Sequence, residues 1–139
     1  MITVDLHYLA ASAAFVGVMW IPYVLNRIAV GGLADAMGYP ADPKPLAGWA
    51  QRLKCAHANA VENLVVFGAV VLVAHAAGLS NESTATAAAV YFYARIVHAL
   101  AYTFAIPWVR TLSFAAGWAA IVWMLVVMHG PMHAAMHGG

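Results

Sequence analysis

Charge is what this sequence has least of. Of its 139 residues only 8% are Asp, Glu, Lys or Arg, against roughly 25% in soluble domains. A soluble globular surface is excluded on that ground. The formal net charge of +1 gives no basic footprint, so nucleic acid is excluded as a partner. Cysteine is nearly absent too. The lone Cys55 rules out an intrachain disulfide and any paired-cysteine zinc site. No Lys or Arg precedes the first apolar run, Asp5 stands there instead, and no small-residue cleavage site follows. The run therefore reads as a retained helix rather than a secretory signal.

What is present is apolar surface: 65% of residues are hydrophobic, with a mean hydropathy of +0.82. About 20 predominantly apolar residues cross the hydrocarbon core as a helix. Four stretches qualify, about 6–29, 56–77, 84–106 and 111–129. The expected fold is an all-α integral membrane bundle of four transmembrane helices, forming one domain over residues 1–139. No span shows the broken-helix pattern of a transporter's central site.

Three connections separate the spans. The longest, GGLADAMGYPADPKPLAGW at residues 31–49, is rich in Gly and Pro and is expected to be a surface loop. The second, AAGLSNESTA, offers Ser80, Asn81 and Ser83 as N-caps, with Glu82 near the first turn, where the helix dipole favours an anion. The third is a tight corner at Ile106, Pro107 and Trp108. Arg27, Lys44, Arg52 and Lys54 lie in or beside the first loop and Arg110 borders the third. Loops rich in Lys and Arg face the cytoplasm, which would place both termini on the other side of the membrane. Trp20, Tyr23, Trp49 and Trp108 suit an aromatic belt at the cytoplasmic interface.

The second span opens with polar residues, HANAVEN. At 100° per residue, with Arg52 as zero, Cys55 falls at about 300°, Asn59 at about 340°, Glu62 at about 280° and Asn63 at about 20°. They share a face, whereas His57 at about 140° lies off it. Charged groups at membrane depth are costly and pair with one another or face the bundle interior. In the third span Tyr91, Arg95, His98 and Tyr102 fall within about 40° of Thr84. Arg95 is the expected partner of Glu62. Such a pair serves either as interhelical glue or as part of a binding site for a polar or anionic ligand. In the second case Arg52, Arg95 and Arg110 would hold carboxylates, and Asn59 and Glu62 an amide or ammonium group.

These residues also carry a resemblance. Arg52 followed by AHANAVEN, then YFYARIVHALAY, a Pro-containing corner and VRTLSF, resembles the MAPEG family, the membrane-associated proteins of eicosanoid and glutathione metabolism. WIPYVLNRIAV and AHANAVENLVVF are similar to a bacterial branch of it, which implies the bacterial inner membrane. The resemblance implies a homotrimer with glutathione sites between subunits near the cytoplasmic side. By position it implies that Arg52, Asn59, Glu62, Arg95 and His98 bind glutathione. Arg110, with Thr111 and Tyr102, would hold its thiolate for attack on a lipophilic electrophile or peroxide. The sequence departs from glutathione-using members at Cys55 and Ala58, where one or both positions are commonly basic. The alternative is a non-catalytic membrane protein that binds a lipid or serves as an accessory subunit of a larger membrane complex.

The segment MHGPMHAAMHGG spaces His129, His133 and His137 four apart beside Met128, Met132 and Met136. Imidazole and thioether ligands suit copper. Gly130 and Pro131 interrupt a helix there, so residues 130–139 are expected to form a flexible tail, and no metal site is assigned.

Overall fold

The structure, a computed structural model, describes residues 1–138. Six helices follow one another: α1 (Val4–Val18), α2 (Trp20–Gly31), α3 (Leu33–Met37), α4 (Gly48–Ala76), α5 (Glu82–Thr103) and α6 (Pro107–His137). Among the described residues there is no strand. Three helical segments are long and apolar enough to cross a membrane: Val4–Gly31, Gly48–Ala76 and Pro107–His137. The expected fourth span corresponds to α5, whose 22 residues extend about 33 Å but carry too many polar groups to join that set.

The first apolar run is broken once, contrary to the expectation of unbroken spans. Pro22 has no N–H to offer the Val18 carbonyl, and its ring crowds that carbonyl, so α1 stops at Val18. The Met19 N–H instead closes a tight turn on the Val16 carbonyl at 3.2 Å. Beyond Gly32, at φ +86°, the expected loop contains the five-residue α3. Side chains of α2 then organise the rest of it. Asn26 Oδ1 accepts from the Ala47 N–H at 2.9 Å, and Arg27 donates to the Lys44 carbonyl. Tied down in this way, α4 begins at Gly48 rather than near residue 56, and Arg52, Lys54 and Cys55 are helical.

Two turns repeat one closing device. At the end of α4 the Leu79 N–H bonds the Ala74 carbonyl (2.8 Å) and the Gly78 N–H that of His75 (3.1 Å), with Gly78 at φ +67°. At the end of α5 the Ile106 N–H bonds the Ala101 carbonyl (2.8 Å) and the Ala105 N–H that of Tyr102 (3.3 Å). This pair of bonds needs a left-handed residue between them. At the second turn that residue is Ala105, at φ 59°, where its Cβ opposes the conformation. Asn81 caps α5 as a capping box: its Oδ1 accepts from the Ser83 and Thr84 N–H groups while Thr84 Oγ1 accepts from the Asn81 N–H. Pro107 occupies the first turn of α6, where a missing N–H costs nothing.

Packing centres on α5, which lies against α6, α4 and α1. Its buried face is lined with alanines, Ala87, Ala88, Ala94, Ala99 and Ala101, which let neighbouring backbones approach closely. The main core stacks the Phe67 ring on Tyr91, with centroids 3.8 Å apart, among Val71, Ala74, Met124 and Met128. A smaller cluster joins Val16 and Met19 to Ala56, Ala60 and Ala99. The start of α1 is pinned by Asp5, which is buried; its Oδ2 accepts from Ser80 Oγ at 2.8 Å.

The region after residue 129 corrects an expectation. Instead of forming a flexible tail, α6 continues through Pro131 to His137. A proline inside a helix removes one backbone bond and kinks or strains the rest, and here the helix absorbs that loss. His133 and His137 lie with ring centroids 4.5 Å apart. Among the described residues no three metal-ligating side chains converge.

The strained turn at Ala105 yields a direct expectation. Ala105→Gly relieves the left-handed Cβ at some cost in unfolded-state entropy, for a net gain of up to about 1 kcal/mol. Thermal unfolding in detergent should show a raised midpoint.

Candidate functional site

The polar stripe of α4 is split by the way the helix docks. Asn59 and Asn63 are half-buried, whereas Cys55 and Glu62 are exposed. Asn59 Oδ1 accepts a hydrogen bond from Arg95 Nη2 of α5. Asn63 Nδ2 donates to the Asn59 carbonyl at 2.8 Å and so holds the next turn. The expected Arg95–Glu62 pair is therefore not formed; the amide of Asn59 takes the guanidinium. The reason is rotational: Asn59 lies closer than Glu62 to the centre of the inward face, by about 60° on the helical projection.

Arg95 is only 4% exposed and His98 only 3%. The guanidinium stem packs on Gly117 of α6, where a Cβ would stand in van der Waals contact, 3.4 Å from Arg95 Cδ. Arg95 Nε and His98 Nδ1 are both buried without a hydrogen-bond partner. Buried polar atoms in that state are rare and call for an explanation. The His98 ring meets Tyr102 edge-on at 5.8 Å between centroids and lies 5.9 Å from Phe114. The Arg110 guanidinium lies 5.0 Å from the Tyr102 ring centroid, within cation–π range. Asn59, Arg95, His98, Tyr102 and Arg110 thus form one continuous series from α4 across α5 to α6.

The other sequence-predicted residues stand apart. Arg52 Nε donates to the Thr103 carbonyl at 2.8 Å, tying the start of α4 to the last turn of α5, where a cation meets the negative end of the helix dipole. The Thr111 hydroxyl is exposed and donates to the Pro107 carbonyl at 3.0 Å. Glu62 is exposed on α4, beside the series and outside it. His57, off the stripe in sequence, has its own partner: Tyr23 Oη and His57 Nδ1 are 2.9 Å apart.

Sequence reasoning missed the Asp5–Ser80 contact, which joins residues 75 apart. Only the unusual position of Asp5 beside an apolar run signalled it. Two surface cavities also went unread. One, of about 350 Å³, is apolar, and Phe15, Met19, Trp49, Leu53 and Phe104 contribute to its walls. The other, of about 440 Å³, lies among Arg27, Lys44, Lys54 and Cys55.

If Asn59 is what holds Arg95, Asn59→Ala should lower the unfolding free energy by about 2 kcal/mol, the scale of a hydrogen bond to a charged group. Glu62→Ala should leave the unfolding of the single chain within about 0.5 kcal/mol of the parent, as surface substitutions do. Chemical denaturation in detergent compares the two.

The sequence profile of the MAPEG family matches residues 9–129. No curated protein and no solved structure matches the chain. The profile covers every element of the site, from Asn59 on α4 to Arg110 on α6, and three helical segments are apolar enough to cross a membrane. This chain is an integral membrane protein and belongs to the MAPEG family.

Proposed function

We propose that this protein is a glutathione-dependent transferase or peroxidase that acts on lipophilic electrophiles as a homotrimer. α5 serves as a fourth span, and the arginine-rich loops lie at the cytoplasmic face of a bacterial inner membrane. The observation that carries this reading is that Arg95 Nε and His98 Nδ1, two of the four buried side-chain atoms without a partner among the described residues, lie on the same face of α5. A bound anion or amide would supply the partners they lack. Glu62 adds support: it is exposed although it lies about four turns into an apolar helix, and a carboxylate is costly against lipid. A neighbouring subunit and a ligand ammonium group would satisfy it together.

In this reading glutathione is a substrate, lying between Asn59 and Glu62 of α4 and Arg95 and His98 of α5. Arg110 holds the thiolate, and the Tyr102 ring beneath its guanidinium keeps that cation in place. Thiolate sulfur attacks an electrophilic carbon to form a thioether, and the leaving group departs with the electron pair of the broken bond. The protein contributes orientation and electrostatic stabilisation, and needs neither a metal nor a covalent enzyme intermediate. Thr111, whose hydroxyl already bonds the Pro107 carbonyl, is a positioning residue for the first turn of α6.

A second reading rests on the engagement of Arg52 with Thr103 and of Arg95 with Asn59 inside one chain. These bonds suit interhelical glue in a non-catalytic protein that binds a lipid or joins a larger membrane complex. Calorimetric titration with glutathione separates the two. The enzyme reading expects saturable binding below millimolar concentration. It also expects Arg110→Ala to cut transfer to a lipophilic aryl halide by about a hundredfold with the oligomer intact. An absence of binding at millimolar glutathione contradicts it.

A further inference from the structure

The second cavity lies outside the Asn59–Arg95 series. It occupies about 440 Å³ between the end of α2, the 31–49 loop and the first turns of α4. Its walls include three cationic side chains, Arg27, Lys44 and Lys54, together with Gln51 and the prolines Pro43 and Pro45. No carboxylate lines it. Asp35 and Asp42 belong to the same loop, yet neither reaches the wall. Three like charges around one concavity repel each other and favour an anion between them.

The cavity is built rather than incidental. Arg27 donates to the Lys44 carbonyl, and Asn26 accepts from the Ala47 N–H at 2.9 Å. Together these bonds hold the Pro-rich segment over the start of α4. The level in the membrane is also defined, because Arg27 lies in the last turns of the apolar segment Val4–Gly31 and Lys54 in the second turn of Gly48–Ala76. Trp20 and Trp49, both partly exposed on the same two helices, mark the interfacial zone that aromatic residues favour. A basic cleft between membrane helices at that depth meets phospholipid headgroups.

We propose that this cleft binds a phosphate group, with Lys44, Lys54 and Arg27 as its cationic ligands and the headgroup of an anionic phospholipid as its source. The proline-rich wall restrains the Lys44 backbone before the ligand arrives, so less order must be gained on binding. Glutathione chemistry at Arg95 and Arg110 is not required for this site. The lipid would instead anchor the loop that holds the start of α4.

The test uses the full chain in detergent, titrated with short-chain phosphatidylglycerol or phosphatidylcholine and followed by native mass spectrometry. A third titration uses soluble glycerol phosphate. Arg27 is left in place because it also secures the loop; the variant is Lys44→Ala with Lys54→Ala. Near a membrane surface each cation contributes on the scale of about fivefold in affinity, so the double variant should bind phosphatidylglycerol about thirtyfold more weakly. Binding to phosphatidylcholine should not change. If glycerol phosphate binds and loses affinity in the double variant, the phosphate site stands with a soluble source. Equal retention of the two lipids by the parent chain, or an unchanged preference in the double variant, overturns the proposal. Loss of glutathione binding in the double variant, in step with phosphatidylglycerol, would assign the cleft to the glutathione site and also overturn it.

Discussion

The arrangement of this molecule depends on a single cation buried in its most enclosed helix. Arg95 sits on α5 among α4 and α6, 4% exposed, where an unpartnered guanidinium would be prohibitively costly. Asn59 meets part of that cost with one hydrogen bond, and Asn63 holds the turn that presents Asn59. Gly117 packs on the stem, and the alanines of α5 let the three helices close around it. Larger side chains at the buried alanines would separate the helices that shield the charge. Packing and electrostatics therefore make the same demand on the same few residues.

The remaining contacts fix the ends of the helices around that centre. Asp5 ties α1 to the capped start of α5 through Ser80, while Arg52 ties the start of α4 to the end of α5 through Thr103. One contact lies at each end of α5. The Phe67–Tyr91 stack and the methionines of α6 fill the interval nearer Asp5. Between the stack and the Arg52 contact lie Arg95 and His98, whose unpartnered nitrogens are the chemical opening between α4, α5 and α6.

Much of this was legible from periodicity. The apolar runs, the Asn81 cap, the Pro107 corner and the shared face of Asn59 and Asn63 follow from residue type and helical spacing. What periodicity lacks is a tertiary reference for rotation. The buried residues of α4, among them Ala56, Ala60, Phe67, Val71 and Ala74, centre at about 60° on the projection that has Arg52 as zero. Arg52, Asn59 and Asn63 therefore flank the inward face and are half-buried, while Cys55 and Glu62, farther round, are exposed. A helical wheel names the stripe without locating its edge, and so gives no ground for choosing Asn59 over Glu62 as the partner of Arg95. The extension of α6 past Pro131 was hidden because local propensity, read alone, stops a helix there. Tyr23 and His57, 34 residues apart, met only through the long first loop.

Glu62 is where the fold and the proposed function meet. A carboxylate exposed on the side of an apolar helix is tolerable in a soluble protein and costly in a bilayer, so the account requires that another copy of the chain and a polar ligand cover it. The most direct measurement replaces Glu62 by a cysteine bearing a nitroxide, in a Cys55→Ala background, with the protein reconstituted in lipid bilayers. Paramagnetic relaxation by oxygen and by a polar nickel chelate then reports the surroundings of that position. The account predicts weak relaxation by oxygen, stronger relaxation by the chelate, and dipolar broadening between labels on neighbouring copies. Strong oxygen relaxation without broadening would place position 62 against lipid in a lone chain and contradict the account.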